Sequence, residues 1–178
     1  MPMDPRIAAI GDAFGITRAL LAARGLRACE EADQLVLAER GDDGREHVLV
    51  PAAAAAWRKL KIAASRDGIA IFIVSAFRSV ERQAEIVRGK LERGATLDEV
   101  LAVCAPPGYS EHHTGRAVDL STPGAPALDI AFDRTSAFAW LVERARDYGF
   151  FLSYPRGNLA GYQYEPWHWR NRDGRAGA

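Results

Sequence analysis

Cysteine is scarce in this chain of 178 residues: there are two, Cys29 and Cys104. Two cysteines cannot build a disulfide framework, and neither lies at zinc-site spacing from the other. Both sit in apolar or alanine-rich surroundings and read as free thiols acting as small hydrophobes, with a disulfide between them not implied. Net charge is also missing. Lys plus Arg and Asp plus Glu are both 23, so nothing global draws the chain to nucleic acid or to an anionic membrane surface. No apolar run reaches the length of a membrane span. The stretch 1–24 lacks a clean apolar core, being broken by Asp12 and Arg18, and does not read as a secretory signal. A soluble protein is expected, cytoplasmic as it stands and periplasmic where a signal has been removed. Repeats and low-complexity linkers are absent, and oligomeric state leaves no trace.

What is present suits one domain with its own core: hydrophobic residues make up 48% and charged residues 26%. Residues 1–30 read as an N-terminal helical extension and 171–178 as a flexible tail. Apolar spacing predicts a helix over 7–23, ended by Gly25. Two short strands, 34–39 and 47–50, flank the turn signal Gly41-Asp42-Asp43-Gly44. Pro51 opens an alanine-rich helix to about Ser65, halted at Asp67-Gly68. The run Ile69 to Val74 is continuously apolar and reads as a central strand buried on both faces. Ser79 caps a helix over 82–92, and Thr96 with Glu99 forms a capping box for 97–104. Strands follow at 117–120, 150–154 and 167–170, with an amphipathic helix over 136–147. The order predicts an α+β fold, a small, mostly antiparallel sheet with flanking helices.

Four histidines occur: His47, His112, His113 and His168. Two lie in polar segments dense in loop formers, Ser110-Glu111-His112-His113-Thr114-Gly115-Arg116-Ala117-Val118-Asp119 and Glu165-Pro166-Trp167-His168. A hydrolytic zinc site needs three N or O ligands, an open position for water and a nearby carboxylate to take a proton. His112, Asp119 and His168 supply such a set. Gly115 allows the turn between the first two, and Glu165, placed in a loop before the strand that holds His168, supplies the base. Each histidine alone would more often be structural; the joint pattern carries the reading.

The segment 110–119 matches the S-x-H-x-x-G-x-A-x-D signature of the VanY-type D-alanyl-D-alanine carboxypeptidases, within the LAS metallopeptidases. Glu165 to His168 matches their E-x-W-H, and Ser75, Arg78 and Gln83 resemble their S-x-x-R-x-x-x-x-Q. The likeness runs over about 50–170. It implies the Hedgehog/DD-peptidase-like zinc peptidase fold, with Zn2+ on His112, Asp119 and His168 and with Glu165 as catalytic base. It implies that Arg78 steadies the oxyanion or binds substrate, and that Ser110, Gln83 and Ser75 line the substrate cleft. The competing reading for Arg78 is a loop salt bridge to Glu81 or Glu85. His113 is expected exposed or behind the ligands, and Glu111 at the cleft edge, with a part in orienting His112. Trp57, Trp140, Trp167 and Trp169 read as core, Trp167 also as cleft wall.

The implied activity is zinc-dependent D,D-carboxypeptidase action, in which metal-activated water cuts the terminal D-Ala-D-Ala bond of peptidoglycan stem peptides. Two alternatives remain: an L-Ala-D-Glu endopeptidase on the same site, and a zinc-containing binding module without catalysis, which would have no need of Glu165. The expected partner is a stem peptide or muropeptide.

Overall fold

The computed structural model describes residues 5–172. Helix α1 (Pro5–Ala13) and helix α2 (Arg18–Ala23) stand where one helix was expected. The break is local: Gly15 adopts a positive φ of 72°, and Thr17 caps α2 by accepting from the Leu20 amide at 3.2 Å. An extended stretch leads to strand β1 (Val36–Arg40), which pairs antiparallel with β2 (Glu46–Leu49) as a separate hairpin.

Helix α3 (Pro51–Arg66) has proline in its first turn. Its buried residues Ala53, Trp57, Leu60 and Ala64 recur at helical spacing on one face. Glu39 pins the hairpin to this helix. Its buried carboxylate accepts from Trp57 Nε1 at 2.9 Å, Lys61 Nζ at 2.7 Å and the Ile73 amide at 3.1 Å.

Four further strands form the main sheet: β3 (Phe72–Ser75), β4 (Ala117–Ser121), β5 (Phe150–Leu152) and β6 (His168–Asn171). Their spatial order is β3-β4-β6-β5, and every pair is antiparallel. The α+β expectation therefore holds, but the central strand is not the one predicted. Only the end of the apolar run 69–74 enters a strand, the edge strand β3, with Phe72 36% exposed, and β4 with β6 occupies the centre. All five residues of β4 are buried, Asp119 among them. An ionisable residue inside a strand hides its centrality from a hydrophobicity reading, because the charge is satisfied by partners distant in sequence.

Helices α4 (Val80–Glu92) and α5 (Leu97–Val103) follow β3, with Ser79 and the Thr96–Glu99 capping box at their starts. Helix α6 (Ser136–Arg144) is shorter than expected; its last turn tightens into a 3-10 segment, Ala145–Tyr148, closed by Gly149 at φ 77°. Between the sheet, α3 and α6 lies the core, including Leu49, Leu120, Phe132, Leu141 and Phe150. Trp57 and Trp169 belong to it as expected, whereas Trp140 is only partly buried and donates to Asp67 at 2.7 Å. Asn171, assigned to the tail from sequence, is a buried residue of β6, and 173–178 lie outside the described residues. Cys29 and Cys104 are free thiols. Among the described residues no helix is long and apolar enough to cross a membrane.

Candidate metal centre and cleft

The sheet register assembles the centre. Asp119 on β4 lies directly opposite His168 on β6 and opposite Ser75 on β3. Directly opposed residues of an antiparallel pair project to the same face, so the carboxylate and imidazole meet without help from a loop. His112 arrives from a 3-10 turn, Glu111–Thr114, capped by Ser110 and ended by Gly115 at φ 61°. A side chain at 115 would meet Leu35 Cδ2 at 3.0 Å and Val50 Cγ1 at 3.1 Å, so both the turn and the close approach require glycine.

One donor atom from each of His112, Asp119 and His168 lies within 4.8 Å of the others, and all three residues are buried. The outer nitrogens are already committed. His112 Nδ1 lies 2.6 Å from the Ala76 carbonyl, and His168 Nε2 lies 3.1 Å from Glu111 Oε2. A ring N–H donated at those positions leaves His112 Nε2 and His168 Nδ1 as lone pairs. These face Asp119 Oδ2 and Oδ1 at 3.1 and 3.0 Å. Acceptors facing acceptors in a buried pocket require a proton or a cation between them. Without a cation the proton is held there. Burial alone would lower the His168 pKa, but hydrogen bonds and charge from Asp119 and Glu111 overcome it and raise the imidazole well above its usual range. Burial by contrast keeps His112 neutral, its pKa lowered despite Asp119. Two imidazoles, one carboxylate and outer partners that fix both ring tautomers fit a divalent metal such as Zn2+.

Glu165 sits in the turn just before β6, with its Oε2 3.8 Å from His168 Nδ1. Burial, with the negative charges of Asp119 and Glu111, outweighs His168 and Arg78 and pushes its carboxyl up to about 7. Arg78 is not paired with Glu81 or Glu85, which bind Arg6 and Arg82 instead. Its guanidinium donates to Gln83 Oε1 at 3.0 Å and Ser75 Oγ at 3.3 Å and stands 3.8 Å from Asp119. Gln83 in turn donates to the Ala105 carbonyl at 2.7 Å, so Ser75 and Gln83 act first as the frame that aims Arg78. Ser110, buried, caps the His112 turn from the cleft wall.

One expectation changes. Glu111 orients His168, not His112. Besides the imidazole it accepts from Ser153 Oγ at 2.6 Å and Arg170 at 2.9 Å. Burial opposes its ionisation, but these partners, His168 foremost, pull its pKa down to about 2. His113 is fully buried and stands behind the triad, the second of the two positions expected for it. It donates from Nδ1 to the Arg78 carbonyl at 2.6 Å and accepts the Gly108 amide at Nε2. It thus holds the Arg78 backbone behind the centre. Trp167 walls the cleft as expected, and so does His47, to which sequence reasoning gave no role. The cleft encloses about 930 Å³, room for a short peptide in extended form.

A two-histidine, one-aspartate cluster on an antiparallel sheet, with a carboxylate and an aimed guanidinium beside it, is the donor set that metal-dependent hydrolases use. The chain belongs to the VanY family of D-alanyl-D-alanine carboxypeptidases, whose family model matches residues 46–173. It is 36% identical over 121 residues to YodJ of Bacillus subtilis, a match covering 66% of this chain and 44% of that protein. The chain thus spans less than half the length of that relative. Among solved structures, the LdcB LD-carboxypeptidase is 31% identical with a TM-score of 0.72, covering 79% of this chain and 69% of that one. A VanY D,D-pentapeptidase in complex with Zn(II) is 26% identical with a TM-score of 0.60, covering 78% of each chain. VanYB in complex with D-alanine-D-alanine is 27% identical with a TM-score of 0.64, covering 82% and 81%.

Proposed function

We propose that this protein is a zinc-dependent D,D-carboxypeptidase that removes the terminal D-alanine from peptidoglycan stem peptides ending in D-Ala-D-Ala. One observation carries the metal assignment: both inner imidazole nitrogens face Asp119 while both outer ones are spoken for. Family membership and the likeness to VanYB with D-alanine-D-alanine support the substrate. His112 Nε2, Asp119 and His168 Nδ1 would hold the metal. When bound, Zn2+ supplies Lewis-acid polarisation of the scissile carbonyl and eases deprotonation of water.

The chain's own groups do the rest. Glu165 accepts a proton from the attacking water and returns it to the leaving D-alanine amine. A carboxyl pushed up to about 7 suits both duties near neutrality, and a cation at the triad would draw it lower. Arg78, fixed by Ser75 and Gln83, donates to the oxygen that becomes negative as the carbonyl is attacked. Because the guanidinium is held in place before substrate arrives, little reorganisation is left to the reaction. Ser110 and Trp167 bound the space in which the peptide lies.

A second reading, L,D-carboxypeptidase action on a stem peptide ending in a single D-alanine, is favoured by the likeness to LdcB. Purified protein should carry about one zinc per chain and lose it in His168→Ala. Hydrolysis of peptides ending in D-Ala-D-Ala, of peptides ending in L-Lys-D-Ala, and of an L-Ala-D-Glu peptide should be compared. D-Alanine release from the first, lowered in Glu165→Gln by about 10²–10⁴-fold, is the expected result. Cleavage only at L-Lys-D-Ala or only at L-Ala-D-Glu would replace the substrate and keep the chemistry. Full turnover in Glu165→Gln would overturn the assignment of the base.

A further inference from the structure

The wall of the cleft beside the triad is a stack of side chains that begins far upstream. Tyr154, just past β5, lies against His168 with ring centroids 4.6 Å apart and planes tilted by 34°. Tyr162 meets Tyr154 edge-on at 4.8 Å and 61°. Arg24, at the C-terminal end of α2, covers Tyr162 with its guanidinium carbon 4.7 Å from the ring centroid. The same guanidinium donates to the Leu101 carbonyl of α5 at 2.8 Å and to the Ala160 carbonyl at 3.0 and 3.3 Å. Arg24 therefore fastens α5 to the loop 155–164 and closes the outer end of the stack. It lies outside residues 46–173, the stretch shared with the family.

The two tyrosines differ at their hydroxyls. That of Tyr162 is shut away from solvent and has no hydrogen-bond partner among the described residues, so the ring is the working part of this residue. Tyr154 is half-buried on the cleft wall, and its hydroxyl makes no hydrogen bond to any described residue. A phenol donor beside the triad complements an acceptor oxygen of a peptide.

We propose that Tyr154 is a substrate-binding residue, donating its phenol hydrogen to a carbonyl or carboxylate oxygen of the peptide beside His168, and that Arg24 is its positioning residue, acting through Tyr162. The proposal rests on the carboxypeptidase reading above. The upstream arm is then part of the cleft, since without Arg24 the rings lose the contact that sets their depth.

The test is a double-mutant cycle on kcat/KM with a pentapeptide ending in D-Ala-D-Ala, with zinc content measured for every variant. Tyr154→Phe should lower kcat/KM by about 10–100-fold. Arg24→Leu should lower it by about 3–10-fold with zinc retained, and Arg24→Lys should recover part of the loss. Adding Arg24→Leu to Tyr154→Phe should cost less than about 2-fold more, because both act on one contact. In parallel, binding of the uncut pentapeptide to Glu165→Gln should weaken when Tyr154→Phe is added. Equal cleavage and equal binding with Phe at 154 would overturn the role of Tyr154, and fully additive losses would overturn that of Arg24. If the unmodified protein neither cleaves nor binds the pentapeptide, the carboxypeptidase reading itself fails and the proposal with it.

Discussion

Glu165 and Glu111 are both half-buried acids beside one imidazole, yet they are tuned in opposite directions. Glu111 accepts from His168, Ser153 and Arg170 and is held ionised; Glu165 has no such set and is pushed up to about 7. Glu111→Gln should weaken zinc binding about 10–100-fold, since a carboxylate behind a ligand imidazole fixes its ring and raises its basicity; competition with a chromogenic chelator measures it. For Glu165 the sign is that of a raised acid. Its contribution to stability is fully present below the ordinary carboxyl value of 4.5 and is lost as pH rises through about 7. Metal-free Glu165→Gln should therefore gain on the metal-free native protein as pH rises from 4.5, by about 3 kcal/mol at pH 8, read from denaturant midpoints. A constant difference across that range would show that Glu165 titrates normally. The clustering of 112, 119 and 168, with 165 beside them, was legible because chemistry restricts which side chains can fill the roles proposed for them. The duty of Glu111 was not, because it depends on where a single 3-10 turn aims the side chain.

Elements ended by strong local signals were readable: Ser79, Thr96 with Glu99, and Pro51 each fix a helix start through hydrogen bonds or ring geometry within four residues. The split between α1 and α2 was missed, because apolar spacing continues across Gly15 while the backbone does not. Strand order was missed for a different reason. Pairing of β4 with β6 joins residues about fifty positions apart, and no local pattern encodes it. The turn at Gly115 shows how tightly element geometry and site are linked. Gly115→Ala places a methyl against Leu35 and Val50 in a left-handed conformation. It should cost about 2 kcal/mol or more and weaken zinc binding, because the same turn sets His112. Thermal melting and zinc titration would both register it; a stable variant with normal zinc affinity would show that the turn adapts.

At the scale of the whole molecule, a metal on His112, Asp119 and His168 would join the 3-10 turn to two neighbouring strands. Removing it with a chelator should lower Tm, and restoring zinc at about 100 times its dissociation constant should return about 2.7 kcal/mol. His168→Ala should show no such response. Calorimetry with and without zinc tests this, and an identical Tm in both would mean that the folded chain holds no metal. The near-balance of charge predicts nothing about this behaviour.

The threading of the sheet has a temporal consequence. Strand β6 comes last in sequence among the described strands but inserts between β4 and β5. During synthesis, His112 and Asp119 emerge well before Glu165 and His168, and the sheet waits with its middle position open. The proposed base and the proposed third ligand are thus delivered by the same closing step, so the centre as proposed is not assembled in a nascent chain until the sheet is complete.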